Sequence, residues 1–225
     1  MQAYTDSECT FRHFENVIIN GEQESIPCPF PPDWTFFAGV DLSSSIRPGN
    51  VIFVGAVDAE MIRRPVFVTR VKGSSPEVAQ AIGQVYREFR PQVIVVEDNA
   101  YQSALIEWIQ ASGEQHPWWA CIQPWTTTIN KRHQQLGLPG MDVEFASGAW
   151  RLPASLRAGH ELSCRCGVCQ WVREMREHPM SPDTDCVMAS WLFRNAVREW
   201  ISVKTEELTS ADNEFEFLST PGRFF

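Results

Sequence analysis

The chain has 225 residues, enough for one domain with a substantial core and short for two. Hydrophobic residues make up 44% of it and charged residues 21%, the balance of a soluble globular protein. Its 19 basic and 28 acidic residues give a net charge of −9, which argues against a general charge-driven grip on nucleic acid. A site in which clustered carboxylates hold cations stays open, because the cations then supply the positive charge that a phosphate needs.

Met1 to Asp6 carries no basic start followed by an apolar run, and no stretch of the sequence approaches membrane-spanning length. A cytoplasmic protein is expected. Prolines at the density of Pro27, Pro29, Pro31 and Pro32 oppose regular structure, so residues 1–32 read as an arm or linker. The domain proper is expected over 33–203.

Trp34 to Val40 is apolar and aromatic, as a buried strand is, and it ends at Asp41. A serine-rich loop follows, then strands over Val51–Val57 and Pro65–Lys72, the latter with Val66, Val68 and Arg70 alternating against Phe67, Thr69 and Val71. Ser74-Ser75-Pro76-Glu77 opens a helix whose apolar positions are Val78, Ile82, Val85 and Phe89. Val93–Val96 is the continuous apolar run of a strand covered on both faces, and it ends at Glu97. A helix over Gln102–Ala111 and a short fifth strand over Trp119–Ile122 follow. Residues 124–160 are less regular, a last helix spans about Asp185 to Trp200, and 204–225 form a polar, acidic tail. Three antiparallel strands followed by parallel crossovers make a mixed five-stranded sheet flanked by helices, the ribonuclease-H-like plan of the α/β class.

Asp41 and Glu97 each stand directly after a buried strand. If those strands are parallel neighbours, both carboxylates leave the sheet at one edge, where they repel unless a cation compensates them. Mg²⁺ or Mn²⁺ suits oxygen ligands, and two such ions about 3.5–4 Å apart can activate water and stabilise a leaving oxygen. A third acid starts the last helix: Asp185 shares a face with Ala189, Leu192 and Ala196. Acids at these positions also commonly open turns or cap helices; three together favour metal binding. Asp183 is the better cap and the weaker ligand. Asp98 points to the opposite face from Glu97 if the strand continues.

Phe37-Ala38-Gly39-Val40-Asp41, Val95-Val96-Glu97-Asp98-Asn99, and Asp183-Thr184-Asp185 followed by Ala189 resemble the three acidic motifs of terminase large-subunit nuclease domains. Glu144 to Pro153 is similar to the segment before the last of them. The resemblance covers about residues 33–200. It implies that Asp41, Glu97 and Asp185 bind the catalytic metals, and that the enzyme is an endonuclease cutting double-stranded DNA during phage genome packaging. It implies as partners a terminase ATPase domain, a small terminase subunit and a portal protein. Thr184 separates aspartates that are usually adjacent in the family, which weakens Asp183 as a ligand. No Gly-x-x-x-x-Gly-Lys-Ser/Thr loop is present, so translocation needs another chain or domain. A junction resolvase of the same fold, or a non-catalytic zinc-binding assembly module, are the competing readings.

His160, Cys164, Cys166 and Cys169 offer four soft or borderline ligands within ten residues, as a structural zinc site does, in an insertion over 157–180. Three free thiols beside an unrelated imidazole is the plainer alternative. His178 is a further candidate, though Pro179 suggests a turn there. Arg47, Lys131, Arg132 and His133 are candidates for DNA phosphate contact, equally readable as solvated surface charge.

Overall fold

The computed structural model describes residues 9–25, 29–42, 49–97, 117–125, 131–160 and 163–219, the last with backbone alone after residue 203. Five strands form one sheet: β1 Thr35–Asp41, β2 Asn50–Val57, β3 Arg63–Val71, β4 Val93–Glu97 and β5 Ile122–Trp125. Their order is β3-β2-β1-β4-β5. The β1–β2 and β2–β3 pairs are antiparallel, while β1–β4 and β4–β5 are parallel. The mixed sheet is thus the one read from the sequence.

Period-two alternation divides the strands between two apolar layers. Ala38, Val40, Ile52, Val54, Ile94 and Val96 pack with α2 (Ser75–Phe89) through Val78, Ile82, Val85 and Phe89. Helix α2 starts as expected, the Glu77 carboxylate accepting from the Ser74 N–H at 2.9 Å. Phe37, Val51, Phe53 and Val95 point the other way. They meet Ala189, Leu192, Phe193 and Ala196 of the long helix α5 (Asp185–Ser219). Helices α1 (Glu15–Gly21), α3 (Leu138–Ala146) and α4 (Gly167–Glu177) complete this second layer.

Four elements differ from the sequence reading. Described residues 9–25 pack as part of the domain rather than as an arm: Phe11, Phe14 and Ile18, spaced as one helical face, are buried, and Phe14 meets Trp171 edge-on at 5.2 Å. The fifth strand is displaced to Ile122–Trp125, because Pro117–Cys121 turns as a 3₁₀ helix. Pro117 presets that turn and Trp118 buries its indole with α2, while β5, as an edge strand, tolerates Pro124. The last helix continues past Trp200 to Ser219, through the stretch read as a tail. Residues 124–160, read as irregular, contain α3. The helix expected over Gln102–Ala111 lies outside the described residues. No helix among the described residues is long and apolar enough to cross a membrane.

Helix and sheet approach each other closely at Gly39. A Cβ there would lie 2.2 Å from the Ala189 carbonyl oxygen and 2.3 Å from the Phe193 nitrogen, so α5 rests directly on β1. Gly39→Ala is therefore expected to push α5 off the sheet and to lower unfolding stability by about 1–3 kcal/mol, as overpacking does. Denaturant unfolding of the variant with an unchanged midpoint would contradict this close contact.

Candidate metal centre at the strand ends

Three facts of register bring the acids together. Parallel pairing of β1 with β4 runs to Val40 opposite Val96, so Asp41 and Glu97 come next, side by side. Along each strand the alternation Phe37, Gly39, Asp41 and Val93, Val95, Glu97 turns both carboxylates toward the α5 layer. Asp41 also pairs with Val51, and Val51 with Arg70 of β3. Arg70, Val51, Asp41 and Glu97 thus form one row across the sheet.

Helix α5 begins beside this row. The Arg70 guanidinium donates through Nη1 to Asp185 Oδ2 at 2.6 Å and through Nη2 to Glu174 Oε1 at 3.0 Å. The other Glu174 oxygen accepts from the Cys186 N–H at 2.8 Å. Gly49 lies against the pair: a Cβ there would stand 2.6 Å from Asp185 Oδ2. The Lys131 ammonium approaches Glu97 Oε1 at 3.6 Å.

The electrostatics follow from burial. Asp41 is only 8% exposed. Loss of hydration, a side-chain hydrogen bond with Glu97 and the charges of Glu97 and Asp185 push its carboxyl up to about 8, against a usual 3.8. Lys131 offsets a part of this. Burial likewise raises the Glu174 carboxyl. A buried pair of carboxylates that shares a proton when alone is a donor set for a hard cation: its oxygens are already convergent, and the cation removes the repulsion. The residues fit Mg²⁺ or Mn²⁺ on those grounds.

Of the residues singled out in the sequence, Asp41 and Glu97 are in direct contact, and Asp185 lies close enough for its charge to act on Asp41. Asp183 is exposed and precedes Thr184, which holds the position before the helix, so Asp183 is not the residue at the cap. Lys131 stands at Glu97, and Arg132 is exposed on the same loop. The His133 ring caps that loop internally, accepting from the N–H groups of Gln135 and Leu136. Arg47 and Asp98 lie outside the described residues. His160, Cys164, Cys166 and Cys169 converge elsewhere, at the start of α4, whereas His178 faces Thr10 and Phe11. Sequence reasoning missed Arg70 and Glu174. The signal for Arg70 was there: it continues the core-facing alternation of Val68, where a cation needs a buried acid.

No protein-family model matches the sequence, and no curated protein matches it either. Solved structures do match. The large terminase nuclease from thermophilic phage G20c with bound magnesium superposes with a TM-score of 0.56 at 12% identity, over 83% of this chain and 96% of that one. The zinc-bound form of the same nuclease gives 0.54 at 14%, over 83% and 97%. The yeast mitochondrial Holliday junction resolvase Ydc2 gives 0.44 at 9%, over 80% and 89%. The fold is therefore that of the large-terminase nuclease.

The raised Asp41 carboxyl makes stability pH-dependent in the metal-free protein. Below pH 3.8 the side chain is protonated whether folded or not; between 3.8 and about 8 the unfolded chain is ionised while the folded one holds its proton. Stability therefore falls as pH rises through that window. Metal-free Asp41→Asn should melt above the native chain near the upper end of it, and the gap should close toward the lower end. Identical melting curves for the two proteins across the window would contradict the crowding.

Proposed function

We propose that this chain is a divalent-metal-dependent endonuclease that hydrolyses double-stranded DNA, acting as the nuclease part of a phage packaging terminase. The observation that carries the reading is the contact of Asp41 with Glu97 at the ends of two parallel strands, facing the start of α5. The likeness in fold to the G20c terminase nuclease supports it over more than four fifths of the chain.

In this reading Asp41 and Glu97 are metal ligands from the sheet and Asp185 is the ligand from the helix, with Asp183 at most an outer contributor. Bound Mg²⁺ or Mn²⁺ would supply an activated water and stabilise the charge on the leaving oxygen. Arg70 holds the Asp185 carboxylate through one oxygen, which orients it as outer partners orient metal-bound carboxylates. Lys131, beside Glu97, is placed to take a phosphate oxygen of the scissile strand, with Arg132 on the same loop; Arg47 is a further candidate from the sequence alone. The net negative charge makes the isolated chain a weak DNA binder, so an ATPase domain, a small terminase subunit and a portal would present the duplex, and the segment from Lys204 would meet the portal.

Cleavage of supercoiled plasmid with Mg²⁺ or Mn²⁺ tests this. Removing outer partners of metal ligands costs roughly 10–100-fold, so Asp41→Ala and Glu97→Ala should each lose more than ~100-fold. Activity that survives both substitutions would refute the site. A strong preference for four-way junctions over plasmid and linear duplex would transfer the assignment to a resolvase.

A further inference from the structure

Helix α4 begins at four converging ligand atoms. His160 Nδ1 lies 3.1 Å from Cys164 Sγ, 3.4 Å from Cys166 Sγ and 3.3 Å from Cys169 Sγ. All four atoms fall within 4.8 Å of one another. An imidazole nitrogen carries one proton or one lone pair, so a hydrogen bond accounts for one of these approaches and leaves two sulfurs crowded against it without cause. A tetrahedral zinc ion with Zn–N near 2.0 Å and Zn–S near 2.3 Å sets the nitrogen about 3.5 Å from each sulfur. The three nitrogen–sulfur separations lie close to that spacing, each slightly shorter.

Two further features fit a metal rather than free thiols. The sulfurs accept backbone N–H groups, Cys164 from Cys166 at 3.5 Å and Cys166 from Cys169 at 3.4 Å. Cys166 does so as the N-cap of α4. The surrounding segment also has little else to hold it: from Ala154 to Gly167 no described residue is buried. Small unsupported segments of this kind are where structural metals replace a core.

We propose that His160, Cys164, Cys166 and Cys169 bind one zinc ion, which anchors the start of α4. The anchor has a defined path into the fold. Arg173 of α4 donates to the Cys164 carbonyl at 2.5 Å, tying the ligand loop to the helix. Gly167, beside Cys166, presses on β3 so closely that a Cβ would lie 1.8 Å from the Val68 carbonyl oxygen. Two turns along, Glu174 holds Arg70 and the Cys186 N–H, and Arg70 holds Asp185. The zinc thereby fixes the helix that positions the third acid. Only this last link rests on the nuclease reading; the zinc site itself does not.

The full chain, produced without a histidine tag and without chelators, should carry one zinc by elemental analysis. Cobalt replacement should give the visible absorption and thiolate charge-transfer band of a tetrahedral sulfur-rich site. His160→Cys should keep the metal and shift the cobalt spectrum, whereas Cys164→Ser with Cys169→Ser should abolish it. Native chain that holds no zinc and gives no such cobalt spectrum would overturn the proposal, as would full zinc occupancy in the double serine variant. Stripping the metal and then restoring Mg²⁺ alone should reduce hydrogen-exchange protection over residues 167–177 while β1 and β2 keep theirs. Unchanged protection in α4 would overturn the anchoring role.

Discussion

Two carboxylates held side by side out of water repel, and the parallel pairing of β1 with β4 forces Asp41 and Glu97 into that position. Neither strand can slip by one residue without turning its whole apolar set to the wrong layer, so the two packed faces fix the placement of the acids as well. The fold spends hydrophobic packing to keep an electrostatically unfavourable pair in register, and a bound cation would make that arrangement favourable. Carboxyls perturbed by burial and a charged neighbour in this way cluster at functional sites.

The rest of the second layer holds the third acid. Arg70 reaches from β3 to Asp185 at the first turn of α5 and to Glu174 of α4, so one guanidinium joins three elements. A planar fork of donors suits that double attachment in a way an ammonium does not. Glu174 is 3% exposed, and its bond from the Cys186 N–H and the nearby Arg70 guanidinium offset part of the burial that raises its carboxyl. A second arginine, this one buried, has a parallel task away from the acids. Arg194 binds Glu144 at 2.7 Å and the carbonyls of Gln135 and Leu136, locking α3 and the loop that carries Lys131 against α5.

Much of this was legible in the sequence because it depends on local pattern. The strands β1 to β4 and helix α2 follow from alternation, apolar runs and a capping box, and Asp41, Glu97 and Asp185 follow from standing at element ends. What was not legible depends on tertiary partners. Arg70 sits on a core-facing position, but nothing local says which acids meet it. Phe11, Phe14 and Ile18 form a helical stripe that the prolines after it obscured, and their burial depends on Trp171 and Phe145, far along the chain. The shift of β5 came from reading Trp119 to Cys121 as extended, whereas Pro117–Cys121 turns as a 3₁₀ helix whose Trp118 is taken up by the α2 layer. The ligand spacing of the cysteine cluster could be read, but its convergence on one imidazole nitrogen could not.

The central claim is that the Asp41–Glu97 pair is built for a divalent cation. Calorimetric titration of Mn²⁺ near neutral pH, repeated in buffers of different ionisation enthalpy, tests it most directly. Because Asp41 holds its proton up to about 8 in the metal-free state, binding should release a proton and the measured heat should change with the buffer. Asp41→Asn should bind at least ~10-fold more weakly and lose the buffer dependence. Mn²⁺ binding that is unchanged in the variant, or absent from the native chain, would contradict the account.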